Sequence, residues 1–181
     1  MSAVRSVVIH GHFYQPPREN PWTGLVDAEP SAAPDHDWNA RITRECYRPL
    51  AAIALGAGDD PDPRRINAWQ FLSFDVGPTL LEWLDAEAAD VAAAIVQADR
   101  TSRRRLGHGN AMAMPYHHVI LPLSSRRDKA TEVRWGVADF RRRFGRDPAG
   151  MWLPETAVDE ETLDVLAAEG IAFTVLAPHQ L

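Results

Sequence analysis

One cysteine, Cys46, stands in a chain of 181 residues, which excludes an intrachain disulfide and any zinc site built from several thiolates. It falls inside a helical stretch and reads as inert packing. No apolar run approaches the roughly 20 residues that a membrane-spanning helix needs. The opening MSAVRSVVIHG holds only the short run Val7-Val8-Ile9, too little for the apolar core of a secretory signal. A basic surplus is missing too: the formal net charge is −6, whereas a phosphate-binding surface wants the opposite sign. Nucleic acid and membrane are therefore not expected as partners, and a soluble cytoplasmic protein is. The runs Arg103–Arg105 and Arg141–Arg143 do not change this. Each sits where a helix should end, where cations complement the helix dipole.

What is present is ordinary for a globular protein, 45% hydrophobic and 24% charged. That supports one domain with a core, or part of a larger one. Arg5 to His10 (RSVVIH) predicts a short buried strand. A loop rich in Pro, Gly and aromatics follows, from Gly11 to about Asp35, and loops of that length are usually functional or disordered. Asp37 to Leu55 predicts a helix, with Ile42, Cys46, Leu50 and Ile53 three or four apart; GAGDDPDPRR then breaks it. Ile66 to Phe74 predicts a second strand. Pro78 suits a first helical position, and helix resumes through Asp90–Arg105.

Gly107 to Leu123 reads as a glycine-led turn running into an irregular apolar stretch. Asp128 to Phe144 predicts a strong helix, with Val133, Val137, Phe140 and Phe144 on one stripe and Gly145 as its stop. Trp152-Leu153 reads as a short strand end. Asp159 caps a helix whose apolar face is Leu163, Leu166 and Ala167, ended by Gly170. Ile171 to Leu181 closes the chain as another buried strand. Strands alternating with helices predict an α/β fold with a largely parallel sheet of about four strands. The last strand has no helix to cover it, and parallel strands need helices on their faces. The pattern thus predicts the N-terminal part of a barrel.

In such a barrel, functional groups collect where strands run out into loops at the C-terminal face. Four places qualify: His10 and His12, then Ser73-Phe74-Asp75, then His108 through His118, then Glu155. His10-Gly11-His12 and the His117-His118 pair have the residue type of a metal site. No carboxylate lies at a familiar ligand spacing to either, so neither metal nor cofactor is expected. Phe13, Tyr14, Trp22, Trp69 and Trp152 offer flat apolar faces to sugar rings, and Gln15, Asn110 and the histidines offer polar partners to hydroxyls. Trp69 lies inside the predicted strand, where a tryptophan is more often part of the core. Trp83 and Trp135, within helices, are assigned to packing.

Glu155 follows Trp152-Leu153-Pro154. Proline disfavours helix at the residue before it, so the chain is expected to stay extended up to the carboxylate, with Trp152 walling it from solvent. That would suit a pre-organised nucleophile. Read alone, however, Glu155 is first a turn glutamate at a helix N-terminus, and the residues around it do not overturn that reading.

Four stretches taken together go further: HGHFYQPPRENPW, SFDVGPTLLEWL, GHGNAMAMPYHHVILPL and GMWLPETAVDEETLDVLAAEGIAFTVLAPHQ. In this order, over nearly the whole chain, they resemble glycoside hydrolase family 57, most closely a bacterial, amylase-like branch. The resemblance implies an incomplete (β/α)7 TIM-like barrel and a retaining hydrolase or transglycosylase acting on α-glucans such as maltooligosaccharides. It implies Glu155, in Trp-x-Pro-Glu, as nucleophile. It implies His10, His12, Gln15, His118 and Trp152 as substrate-binding residues, with Phe13 and Tyr14 interposed relative to the shorter form of the first motif. The family's general acid is an aspartate well beyond the third motif, and residues 1–181 stop before it. A retaining mechanism needs two carboxyls about 5–5.5 Å apart. The isolated chain is therefore expected to be inactive or nearly so, its missing partner being the C-terminal remainder of the barrel if that is encoded elsewhere. Two other readings are a metal-dependent polysaccharide deacetylase-like barrel and a non-catalytic carbohydrate-binding remnant. The first would want paired aspartates after strand one and an HxxxH, and the sequence has neither.

Overall fold

The computed structural model describes residues 5–56 and 64–180. Within them the class is α/β, and the frame is a parallel sheet. β1 (His10–Phe13) lies beside β4 (Ser73–Val76), which lies beside β5 (Ala111–Met112). Two isolated parallel bridges carry the order on, Ala113 to Met151 and Gly150 to Phe173. Five successive segments therefore run the same way, with helical segments between them: α1 (Trp38–Ile42), α2 (Arg48–Ala51), α3 (Pro78–Glu87), α4 (Ala89–Leu106), α5 (Arg126–Phe144) and α6 (Glu160–Ala168).

The helix ends follow from local chemistry. The Asp37 side chain accepts from Ala40 N and starts α1. Pro78 opens α3 where its missing N–H costs nothing. Ser125 caps α5 and Asp159 caps α6. Gly107 (φ 83°) and Gly145 (φ 66°) end α4 and α5 in the left-handed conformation that other residues resist. Between α1 and α2 the chain passes through a π-helical segment, Thr43–Tyr47, which holds Cys46 against the core and leaves its thiol raised by burial.

Side chains sort by strand alternation. Phe74 and Val76 point to the helix side and pack with Trp69, Leu80, Leu84, Ile95, Val137, Phe140 and Met151 in the core. Trp69 is fully buried, its ring against Phe13 and edge-on to Phe74.

Several expectations need correction. Val7, Val8 and Ile9 are exposed and outside any strand; β1 begins at His10, because pairing with β4 starts only where Ser73 N donates to Ile9 O. The first long helix ends at Ala51, and Ile53–Leu55 (β2) instead pairs antiparallel with Arg64–Ile66 (β3). Of the helix-breaking stretch GAGDDPDPRR, residues 57–63 lie outside the described residues. Asn67 splits the second predicted strand, since its side chain caps a 3₁₀ turn, Ala68–Phe71, that drops Trp69 into the core. The closing segment meets the sheet at one bridge only and then forms a short 3₁₀ turn, Pro178–Gln180. On α6 the buried face is Thr162, Val165 and Leu166, while Leu163 and Ala167 face out. Arg143 is not a solvated helix-end cation, for its side chain is buried against Asp139 and Asp85.

Lys129, the only lysine in the chain, is buried on α5 and reaches Asp159 and Glu161, each at 2.9 Å. The Thr162 hydroxyl, Lys129 and the Thr162 N–H pull the Asp159 carboxyl down to about 2 from its ordinary 3.8. A group lowered in the fold stabilises above its unfolded value, and that contribution is lost as pH falls through the folded one. α6 is thus expected to hold through pH 4 and loosen as pH approaches 2. A carboxyl-carbon NMR titration checks this; an Asp159 midpoint near 4 would contradict it.

Candidate active site

The register of β1 on β4 builds the site. His10 lies opposite Ser73, and His12 opposite Asp75. Alternation puts these four side chains on one face and Gly11, Phe13, Phe74 and Val76 on the other. Asp75 is 0% exposed, yet it carries a carboxylate. Its charge is met on both oxygens: His10 Nε2 donates to Oδ1 at 3.0 Å and His12 Nδ1 to Oδ2 at 2.7 Å. The other nitrogen of His10 contacts the Ser73 hydroxyl at 3.0 Å. The other nitrogen of His12 meets His118 Nε2 at 3.3 Å.

Three aromatic contacts wall this group. The Trp152 indole lies nearly parallel to both imidazoles of β1, 5.2 Å from His10 and 5.0 Å from His12. Tyr14 stacks on His118 at 4.0 Å. Room for that tyrosine comes from Gly77, where a Cβ would lie 3.0 Å from the Tyr14 ring. Burial lowers the His118 pKa from its usual value, the neighbouring His12 pushes the same way, and Glu155 opposes both. His118 is therefore held toward its neutral form, within electrostatic reach of Glu155.

Glu155 departs from the expected geometry. The chain is extended at Leu153, then turns through a 3₁₀ segment, Pro154–Thr156. Glu155 sits at φ 56° and Thr156 at φ 52°. Two consecutive left-handed residues, one of them β-branched, cost of order 1–3 kcal/mol each. The turn is held by Thr156 N to Leu153 O at 2.8 Å and by Gln180 Nε2 to Thr156 O at 2.7 Å. The Glu155 residue is exposed, so Trp152 does not wall it from solvent; the indole lies over the histidines instead. Trp152 Nε1 is buried with no partner, an unspent donor beside the cluster.

The structure brings His10, His12, His118 and Trp152 together and leaves other named residues elsewhere. Gln15 is next to the cluster in sequence, but its amide is engaged: Oε1 accepts from Arg18 Nη2 at 2.9 Å, and Nε2 reaches Tyr47 Oη at 3.4 Å. Arg18 also donates to Asn39 on α1 and pairs with Glu29, so one ion pair and its hydrogen bonds pin the loop after β1. Asn110 donates to the carbonyls of Trp69 and Leu72 and lines a cavity at the opposite, N-terminal ends of the strands, together with His108. Both precede β5 instead of following it, because that strand is only Ala111–Met112. His117 turns away from His118 to pair with Glu132 on α5. Phe13 and Trp69 belong to the core, Trp22 is 91% exposed, and Trp135, expected to pack, is 53% exposed. The central residue that sequence reading left without a role is Asp75. Its signal was the alternation His-x-His against Ser-x-Asp, legible only once the two strands are known to pair. Among the described residues, no three of His, Cys, Asp and Glu are grouped so as to hold a metal ion, and no helix is long and apolar enough to cross a membrane.

Solved structures share this architecture. A 4-α-glucanotransferase from Thermococcus litoralis superposes with TM-score 0.62 at 16% identity, over 92% of this chain and 21% of that one. An exo-type maltose-forming amylase from Pyrococcus sp. ST04 gives 0.61 at 13%, over 93% and 29%. A family 57 branching enzyme from Thermococcus kodakaraensis, in complex with glucose, gives 0.58 at 17%, over 92% and 38%. The chain thus spans well under half the length of each. Comparison with curated proteins gave no match. The model of one sequence family, glycosyl hydrolase family 57, matches residues 12–177. With that match over most of its length, the chain belongs to glycosyl hydrolase family 57.

Proposed function

We propose that residues 1–181 are the N-terminal portion of a (β/α)7 barrel in a retaining glycoside hydrolase or transglycosylase acting on α-glucans, with Glu155 as nucleophile. In the first step Glu155 attacks the anomeric carbon, the glycosidic bond breaks, and a general acid protonates the departing oxygen; in the second, water or an acceptor hydroxyl, deprotonated by the same group, attacks the anomeric carbon and releases Glu155. That acid is assigned to the remainder of the barrel, so the isolated chain binds glucan without turning it over. Trp152 and His118 contact the sugar. His10, His12 and Gln15 shape the site from behind.

The observation that carries this reading is where Glu155 stands: in a strained turn, four residues after the parallel bridge at Met151, within electrostatic reach of His118 in a cluster of imidazoles under an indole. Strain of that kind persists where surrounding structure fixes it, and it gathers at active sites. The structural likeness to enzymes named for α-glucan chemistry supports the substrate class.

Calorimetry with maltotetraose tests it. The wild-type chain is expected to bind without heat of turnover, and Trp152→Ala to weaken binding about 10-fold or more, the loss of one stacked aromatic contact. Absence of binding by the wild type, or equal affinity in the variant, would count against the site. Binding unchanged in Glu155→Gln, combined with no turnover when the remainder of the barrel is supplied, would favour a carbohydrate-binding role over an enzymatic one.

A further inference from the structure

We infer that Asp75 is a positioning residue whose carboxylate sets the tautomers of His10 and His12 and, through His12, that of His118. The argument is a count of donors and acceptors. A carboxylate only accepts, so His10 must present Nε2–H to Oδ1 and His12 must present Nδ1–H to Oδ2. Neutral His10 then has a lone pair at Nδ1, which accepts from the Ser73 hydroxyl. Neutral His12 has its lone pair at Nε2, facing His118 Nε2 at 3.3 Å, so His118 donates and is itself the Nε2–H form. Burial of His118 favours this uncharged arrangement. Carboxylate–imidazole pairs orient rings in the same way behind metal ligands and catalytic bases.

This count divides the three histidines by role. His10 has spent both ring nitrogens inside the protein, on Asp75 and Ser73, and His12 has spent both, on Asp75 and His118. Only His118 commits a single nitrogen to a protein side chain among them. A hydroxyl-bearing ligand therefore takes its imidazole contact from His118, while His10 and His12 offer ring faces to Trp152. The ligand half of this inference rests on the glucan reading above, but the tautomers do not.

Nitrogen-15 NMR of the histidine side chains reads each tautomer directly. In the wild-type chain the expected pattern is Nε2–H for His10, Nδ1–H for His12 and Nε2–H for His118. Asp75→Asn replaces two acceptors by one acceptor and one donor, so His10 or His12 is expected to switch tautomer. Ser73→Ala leaves Asp75 in place and is expected to leave both unchanged. A wild-type His12 in the Nε2–H form, or an Asp75→Asn spectrum with no switch, overturns the assignment. A His12 switch in Ser73→Ala overturns it as well. Should Asp75→Asn not fold, the wild-type and Ser73→Ala spectra still decide. Titrated maltotetraose is expected to shift His118 Nδ1 and leave the His10 nitrogens in place. No shift at all, with the tautomers as assigned, would refute the glucan reading and leave the role of Asp75 standing.

Discussion

Replacing Glu155 by glutamine is expected to abolish α-glucan turnover, by on the order of 10⁴-fold or more, in a polypeptide that joins residues 1–181 to the general acid. Glutamine keeps the size of the side chain and removes the proposed nucleophile, so substrate binding should change little while the chemical step is lost. The position also makes a second, opposite prediction. At φ 56° a glutamate sits where glycine is comfortable. Glu155→Gly should therefore raise stability by about 1 kcal/mol, or roughly 2–4 °C in Tm for a chain of this size, while being just as inactive. Adding azide to that variant should restore cleavage of an activated glycosyl substrate, since a small external anion can attack the vacated anomeric face. A Glu155→Gly variant that is destabilised would contradict the strain argument, and a Glu155→Gln variant within 10-fold of wild type would remove Glu155 from the mechanism. An exposed turn glutamate with no catalytic duty has no reason to pay for left-handed backbone.

The largest structural effect is expected at Asp99, on α4. Its buried carboxylate accepts from Arg146 Nη2 at 2.7 Å, from Arg146 Nε at 2.9 Å and from Ala111 N at 2.9 Å. Arg146 Nη2 also reaches Ala111 O at 2.9 Å, so one ion pair satisfies both backbone groups of the residue that begins β5. Gly109 passes so close that a Cβ there would lie 2.3 Å from Asp99 Oδ1. Asp99→Ala would strand a part-buried guanidinium and an amide, a loss of about 3–5 kcal/mol. For a domain of this size that corresponds to a fall in Tm of roughly 10 °C. Removing both partners, as Asp99→Ala with Arg146→Met, should cost less than Asp99→Ala alone, because no uncompensated charge remains. Thermal unfolding of both variants checks this. A double variant no more stable than the single would show that the pair acts by packing, not by charge.

The helices were legible in the sequence because their signals are local. Pro78, Gly107, Gly145 and Asp159 each act within one turn of their own position, and the structure uses all four as starts or stops. The strands were not, and for a physical reason. β1 is His-Gly-His-Phe and β5 is Ala-Met, too short and too polar in the first case to show a period. Their existence depends on partners far along the chain, as in the pairing of His10 with Ser73 and of Ala111 with Phe74. The same limit applies at the site. Motifs placed His10, His12, His118 and Trp152 in one region, and in the structure they stand together. The parting of His117 from His118 is set by Glu132, a helix later in the chain, and no pattern around the two histidines announces it. Asn110 and His108 fell to the wrong end of the sheet because the strand beside them is only two residues long. Asp75 became visible only through register.

The account turns on whether Glu155 can attack a sugar. A glucosyl fluoride needs no acid to release its leaving group, so the 181-residue chain can be tested as it stands. After incubation, peptide mass mapping is predicted to find a covalent glucosyl group on the peptide containing Glu155 and on no other, absent from Glu155→Gln. A label that survives in Glu155→Gln, or one that maps to another carboxylate, would contradict it.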